Sequence, residues 1–134
     1  MKQNEIFRQI SRIVHDADCL SAALSGIRAI LATEWGGAVL IIRPASTAQG
    51  NSFPPAISEF LESREYPFRG LYTAPLRNGA RTAGTLVACI GSFYLGSSQA
   101  FGDSLRAVTD YAGNQLADLA RRLALPALEY AEAA

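Results

Sequence analysis

Residues 73–90 read TAPLRNGARTAGTLVACI. The pair Asn78-Gly79 tolerates the positive φ angles of a tight hairpin turn, so the apolar runs on either side, residues 71–77 and 82–90, read as two antiparallel strands. In the second strand Thr85, Val87 and Cys89 alternate with Leu86, Ala88 and Ile90. Side chains of a strand point alternately to its two faces, so neither face of this one is suited to water. Both must be covered. Pro75 has no amide to give to a ladder, which places it at an unpaired side or a bulge.

The flanking sequence supplies the covers. In residues 4–14, Ile6, Ile10, Ile13 and Val14 form one helical stripe, with Asn4 placed to cap it. Asp18 is placed to cap a second helix, in which Leu20, Leu24, Ile27 and Leu31 share a face to about residue 33. Trp35-Gly36-Gly37 breaks that helix and introduces AVLIIR, residues 38–43, a strand apolar on both faces and closed by Pro44. Residues 45–52, ASTAQGNS, read as loop. In SFPPAISEFLESRE, residues 52–65, Ser52 and the prolines suit a helix start, and Ile57, Phe60 and Leu61 make one apolar stripe. Residues 91–102 read as a loop. A last helix over 103–125 aligns Leu105, Val108, Ala112, Leu116, Leu119 and Leu123, and Pro126 marks its end. The tail LEYAEAA, residues 128–134, reads as a loose end.

One domain of the α/β (α+β) class is expected, since 134 residues suffice for a single core. Its central antiparallel sheet would carry N- and C-terminal helices on one face and a short helix plus loops on the other, a layered sandwich. Residues 1–33 supply the N-terminal helices, 38–95 the sheet and lid helix, and 103–125 the C-terminal helix.

Composition narrows the function. A hydrophobic fraction of 49% with 18% charged residues opposes disorder. Twelve basic and twelve acidic residues cancel without forming blocks, so there is no broad positive field to draw nucleic acid or an anionic membrane. The N-terminal MKQNEIFRQISRIVHD is interrupted by charge too often for a secretory signal or a membrane span, and a cytoplasmic location is expected. Cys19 and Cys89 suggest no disulfide framework and read as reduced, mostly buried thiols. His15 is the single histidine and no metal-ligand spacing surrounds it, so no metal site and no cofactor are expected. No motif sets a nucleophile or carboxylate beside it, and the chain is not expected to be an enzyme.

In element order and local phrasing the chain resembles GAF domains, the small sensory modules of signalling proteins. Two leading helices, the strand GGAVLIIR, the hairpin YTAPLRNGARTAGTLVACI, and the aromatic before the closing helix AFGDSLRAVTDYAGNQLADLARRLAL carry the likeness, most closely over residues 72–125. The middle is shorter than in a usual GAF domain. The resemblance implies a module that binds a small molecule between sheet and lid, or that dimerises through its terminal helices, with an output domain in a separate or missing partner. The Asn-Lys-Phe-Asp-Glu set of cyclic-nucleotide-binding members has no counterpart, and Lys2 is the only lysine. The bilin-attaching cysteine with adjacent histidine is also missing, since Leu20 follows Cys19 and Ile90 follows Cys89.

The candidate ligand-binding residues are Phe53, Phe60, Tyr66, Tyr72 and Tyr94, an aromatic group expected on the lid side, together with the hydroxyl of Thr85. Simple core filling is the competing reading, under which the chain is an interaction module without a usable pocket. Arg43, Arg69 and Arg81 are candidate anchors for an anion, against the plainer reading of solvated strand-end charges. On the last helix, small Ala107, Gly113 and Ala117 would allow a second copy's helix to approach closely, giving a homodimer.

Overall fold

The computed structural model describes residues 3–45, 54–93 and 98–134. In chain order these form α1 (Gln3–Asp16), α2 (Leu20–Trp35), β1 (Gly36–Pro44), α3 (Pro55–Glu62), β2 (Phe68–Asn78), β3 (Arg81–Ser92), α4 (Ser98–Arg122) and β4 (Ala131–Ala133). The strands make one antiparallel sheet in the order β2-β3-β1-β4. The fold is α+β, with helices and sheet in segregated layers.

The hairpin turns one residue later than the Asn78-Gly79 pair suggests: Asn78 ends β2 and pairs with Arg81, the turn residues are Gly79 and Ala80, and Gly79 alone of the pair holds a positive φ, 65°. Its strands are longer than the apolar runs suggest, because pairing continues from Asn78↔Arg81 to Phe68↔Ser92. β2 lies at the sheet edge, so Pro75 sits where a strand can tolerate a missing donor, and the register shifts immediately afterwards, between Leu76 and Arg77.

Both faces of the sheet are covered, unequally. On one, Ala38, Leu40, Ile42, Ala74, Leu76, Leu86, Ala88 and Ile90 meet the buried stripes of α1, α2 and α4, among them Ile6, Ile10, Leu24, Ile27, Leu105, Val108 and Leu116. The opposite face holds a smaller cluster of Val39, Ile41, Val87 and Cys89 under Ile57 of α3. The helices lie where their periodicity placed them, since a stripe at spacings of three and four can be dried only against another apolar layer.

Several sequence expectations are corrected. Asn4 lies within α1, and Asp18 precedes the N-cap of α2, which is Cys19 in extended conformation without a side-chain cap bond. Cys19 is consequently exposed and only Cys89 is buried. The last helix begins at Ser98 and ends at Arg122, earlier at both ends than the leucine stripe suggests. The tail is not loose: Ala131–Ala133 pairs with Leu40, Ile41 and Ile42 and covers part of the β1 edge. A three-residue Ala-Glu-Ala run has no strand signature of its own, and its conformation is imposed by unpaired backbone groups on β1.

Part of the proposed approach surface for a second copy, Gly113 and Ala117, is used inside the chain. Gly113 is buried, and a Cβ there would lie 2.9 Å from Ala74 Cβ, so its hydrogen lets α4 settle closely on β2. Ala117 is also buried, and Phe7 of α1 stacks on Tyr111 of α4 with ring centroids 4.3 Å apart. Ser52 and most of the 45–52 loop lie outside the described residues.

Candidate functional site

On the lid side, α3 starts after Pro54, with Pro at its first turn where the missing amide costs no helical bond. Ile57 is fully buried against the β1 and β3 side chains. Phe60 stacks on Tyr66 at a centroid distance of 5.5 Å, and Tyr66 leans against Phe93 at 5.2 Å. Gly37 and Gly91 are partners across the β1–β3 ladder, and the Tyr66 ring occupies the space where their side chains would be. Its hydroxyl donates to the Gly36 carbonyl at 3.4 Å. Arg69 then ties the end of α3 to β2 by donating to the carbonyls of Leu61 and Ser63. These contacts give Arg69 a structural role in place of the anion-anchoring one.

The expected aromatic pocket is not assembled. Phe60 and Tyr66 meet, but Tyr72 pairs with Ala88 and therefore points to the helix face, on the far side of the sheet. Burial raises its pKa, partly offset by Arg106. Phe68 shares that face and packs edge-on to Phe101 of α4 at 4.6 Å, while Trp35 meets the same ring at 6.1 Å. Thr85 is on the lid face, but six positions from Gly91, roughly 20 Å along the strand from the Phe60–Tyr66 pair. Phe53 and Tyr94 lie outside the described residues. The parity that separates Tyr72 from Phe60 was present in the sequence, because Tyr72 shares its face with Ala74 and Leu76, the two buried residues of β2.

A better-enclosed space lies elsewhere, between the hairpin tip and the C-terminal end of α4. It measures about 430 Å³ and is bounded by Pro44, Ala45, Leu76, Ala83, Ala117, Ala120 and the 124–128 segment, with Arg77, Asn78, Arg81 and Arg121 among its lining. Leu76, Ala117 and Leu128 are buried and form the floor, while the three arginines are exposed and form the rim.

Two local devices shape this cleft. The register shift sets Leu76 opposite Gly84 and Arg77 opposite Thr82, leaving Ala83 as the extra residue. Such a bulge reverses the alternation beyond it and turns Ala83 and Arg81 toward α4. At the other wall α4 ends in a Schellman motif: Leu125 N–H donates to Ala120 O at 3.2 Å and Ala124 N–H to Arg121 O at 3.0 Å. Ala124 holds φ 53°, unusual for a residue with a Cβ, and the reversal carries the chain back over the hairpin to Leu128.

The rim is positive. Arg121 is committed, pairing with Asp118 and donating to Arg77 O at 3.2 Å. Among the described residues Arg77 and Arg81 have no ion-pair partner and no acidic side chain lines the cleft. Arg43, close to Tyr130, is not part of the lining. Only Arg81 of the three suggested anchors therefore stands at this space.

Groups that could do chemistry are held in other roles. Ser11, His15 and Asp118 share a shallow groove between α1 and α4. The Ser11 hydroxyl, however, is hydrogen-bonded to Tyr111, and Asp118 pairs with Arg121. Cys89 is buried under α3, and desolvation pushes its thiol up to about 11, against a smaller opposing pull from Arg69. A thiol so placed is overwhelmingly protonated near neutrality and a poor nucleophile. No cluster of three or more His, Cys, Asp or Glu suited to a metal occurs among the described residues. No helix among them is long and apolar enough to cross a membrane. No family model, curated protein or solved structure matches the chain.

Proposed function

We propose that this chain is a non-catalytic, GAF-like regulatory module that binds a small molecule in the cleft between the hairpin tip and the end of α4. The observation that carries the reading is the cleft itself, an apolar-floored concavity with a few charged groups at its rim, within the size range of small-molecule sites. Its walls come from elements that diverge through the fold. The hairpin belongs to the central sheet, α4 packs on β2, and the 124–128 segment leads to β4 on the opposite edge. A ligand touching all three would favour one setting of the α4 end against the sheet, and a partner or output domain resting there would sense the change. The setting is cytoplasmic, in keeping with an exposed free thiol at Cys19.

A second reading is favoured by the closed lid side, where Ile57 and Tyr66 fill the space a GAF ligand would use. Under it the chain is an interaction module that pairs with another protein or with its own copy. One experiment separates the two. The purified protein and an Ala120→Leu variant, whose larger side chain obstructs the cleft, are screened by thermal shift at two protein concentrations. The test set comprises organic acids, nucleotides, amino acids and aromatic metabolites. A saturable rise in Tm that Ala120→Leu abolishes is expected, because selective binding to the native state must stabilise it. A flat screen with a Tm that climbs with protein concentration overturns the ligand reading in favour of the second.

A further inference from the structure

We infer that the cleft takes an amphipathic organic anion, a carboxylate or phosphate head on a short apolar body, with Arg81 and Arg77 as its anchors. The inference rests on the cleft being the ligand site and adds the chemical class. Three observations carry it. The first is charge. Arg121 is neutralised by Asp118, whereas among the described residues Arg77 and Arg81 have no ion-pair partner and no Asp or Glu lines the cleft. The cleft therefore presents two uncompensated guanidinium groups, the donors best matched to the two oxygens of a carboxylate or phosphate.

The second is the apolar floor. Ala83, Ala117, Ala120, Ala124 and Ala127 contribute only methyl groups, while Leu76 and Leu128 close the base. These side chains offer burial and no hydrogen bonds of their own, so they suit a hydrocarbon or flat apolar body. The third is size. About 430 Å³ holds roughly fourteen water volumes, enough for an anion with on the order of ten non-hydrogen atoms. The bulge joins these features, because it brings the Arg81 side of β3 to the same space as the alanine row.

The test uses three probes that share an eight-carbon body, octanoate, octyl phosphate and octanol, with acetate and inorganic phosphate as head-only controls. Calorimetric titration is run below micelle-forming concentrations on the full chain and on the Arg81→Gln, Arg77→Gln, Arg81→Lys and Ala120→Leu variants. Each variant is first shown to melt cooperatively. Octanoate or octyl phosphate should bind at least tenfold more tightly than octanol, and whichever binds better identifies the head group. Arg81→Gln should weaken the anion about tenfold while leaving octanol unchanged, as expected for loss of one charge-assisted contact at an exposed rim. Arg81→Lys should fall between, and added salt should weaken only the anions. Equal affinity for octanol and octanoate, indifferent to both Arg→Gln changes, overturns the anion inference and leaves the cleft reading standing. Binding of the head-only controls as strongly as the eight-carbon anions also overturns it. No binding by any eight-carbon probe, or binding unaffected by Ala120→Leu, overturns both.

Discussion

Replacing Ile57 by alanine should unlatch α3 without unfolding the sheet beneath it. Ile57 is the only fully buried residue of α3, and it stands over Val39, Ile41, Val87 and Cys89. The change removes three buried carbons, at roughly 0.8 kcal/mol each. The residual cavity adds to that loss, and the whole comes to about 3 kcal/mol, within the range for buried Ile→Ala changes. Besides Ile57 the helix is held by the half-buried Ala56, Phe60 and Leu61 and by the Arg69 clamp, so most of the loss should appear as local opening. Cys89 reports that opening directly. It is buried with its thiol pushed up to about 11, and exposure restores an ordinary, far more reactive thiol. In a Cys19→Ser background, which removes the exposed thiol, disulfide-reagent labelling of Cys89 should accelerate about a hundredfold, the factor that 3 kcal/mol implies. The rate should depend only weakly on urea, because local opening exposes little surface. A rise of less than fivefold would refute the latch. So would labelling with the full urea dependence of global unfolding.

Three further outcomes are expected. Burial raises the Cys89 pKa in the folded state, so the native thiol holds its proton where the unfolded one loses it. Its contribution is intact below about pH 9 and is lost as pH rises toward about 11, a decline on the order of 2–3 kcal/mol. Urea melts across that range should show a shallower decline for Cys89→Ala than for the parent. Ala124→Gly should stabilise by about 0.5 kcal/mol, since relief of the φ 53° conformation gains about 1–2 kcal/mol and glycine's greater unfolded-state freedom returns about 0.5–1; an unchanged or lower urea midpoint would contradict this. Gly84→Ala should cost about 1–3 kcal/mol, because the new Cβ would lie 2.6 Å from the Arg43 carbonyl oxygen and 2.9 Å from Leu128 Cδ1. Amide exchange at Ala131–Ala133 should then quicken as Leu128 is displaced, and full stability with unchanged exchange would exclude the close contact.

The sequence made the layers legible and left the site obscure, for a physical reason. Periodicity and turn chemistry are local, so the helical stripes and the Asn78-Gly79 turn could be read directly, as could the two-faced burial of β3. Strand β4 could not, because Ala-Glu-Ala carries no local preference and forms only where β1 leaves an edge to pair. The aromatic residues misled for a different cause. Tyr66 is a large ring that fits over two glycines, Gly37 and Gly91, which are far apart in sequence and become neighbours only through strand pairing. Ala107, Gly113 and Ala117 were visible as small residues on the last helix, and their reading turned on what faced them. A second copy's helix was expected there; the chain's own sheet stands against Gly113 and its hairpin tip beside Ala117, the tip turned by a bulge that no residue type announces.

The two sides of the sheet thus reach opposite results from the same constraint. Space within a fold is what side chains leave unfilled, and close packing permits little of it. On the lid side glycines on the strands are matched by large rings above them, Phe60 and Tyr66, and the volume is consumed. At the hairpin tip Ala83, Ala117 and Ala120 line one space over a floor of Leu76 and Leu128, and the large groups at its rim are arginines with exposed charged ends. A guanidinium cannot be folded inward to fill an apolar gap without losing its hydration, so the gap persists with a positive rim. Filling it from within needs only a larger apolar side chain on α4. Filling it from outside suits a molecule that is apolar at one end and negative at the other, and this asymmetry is the reason the proposed ligand site is the hairpin tip and not the aromatic lid.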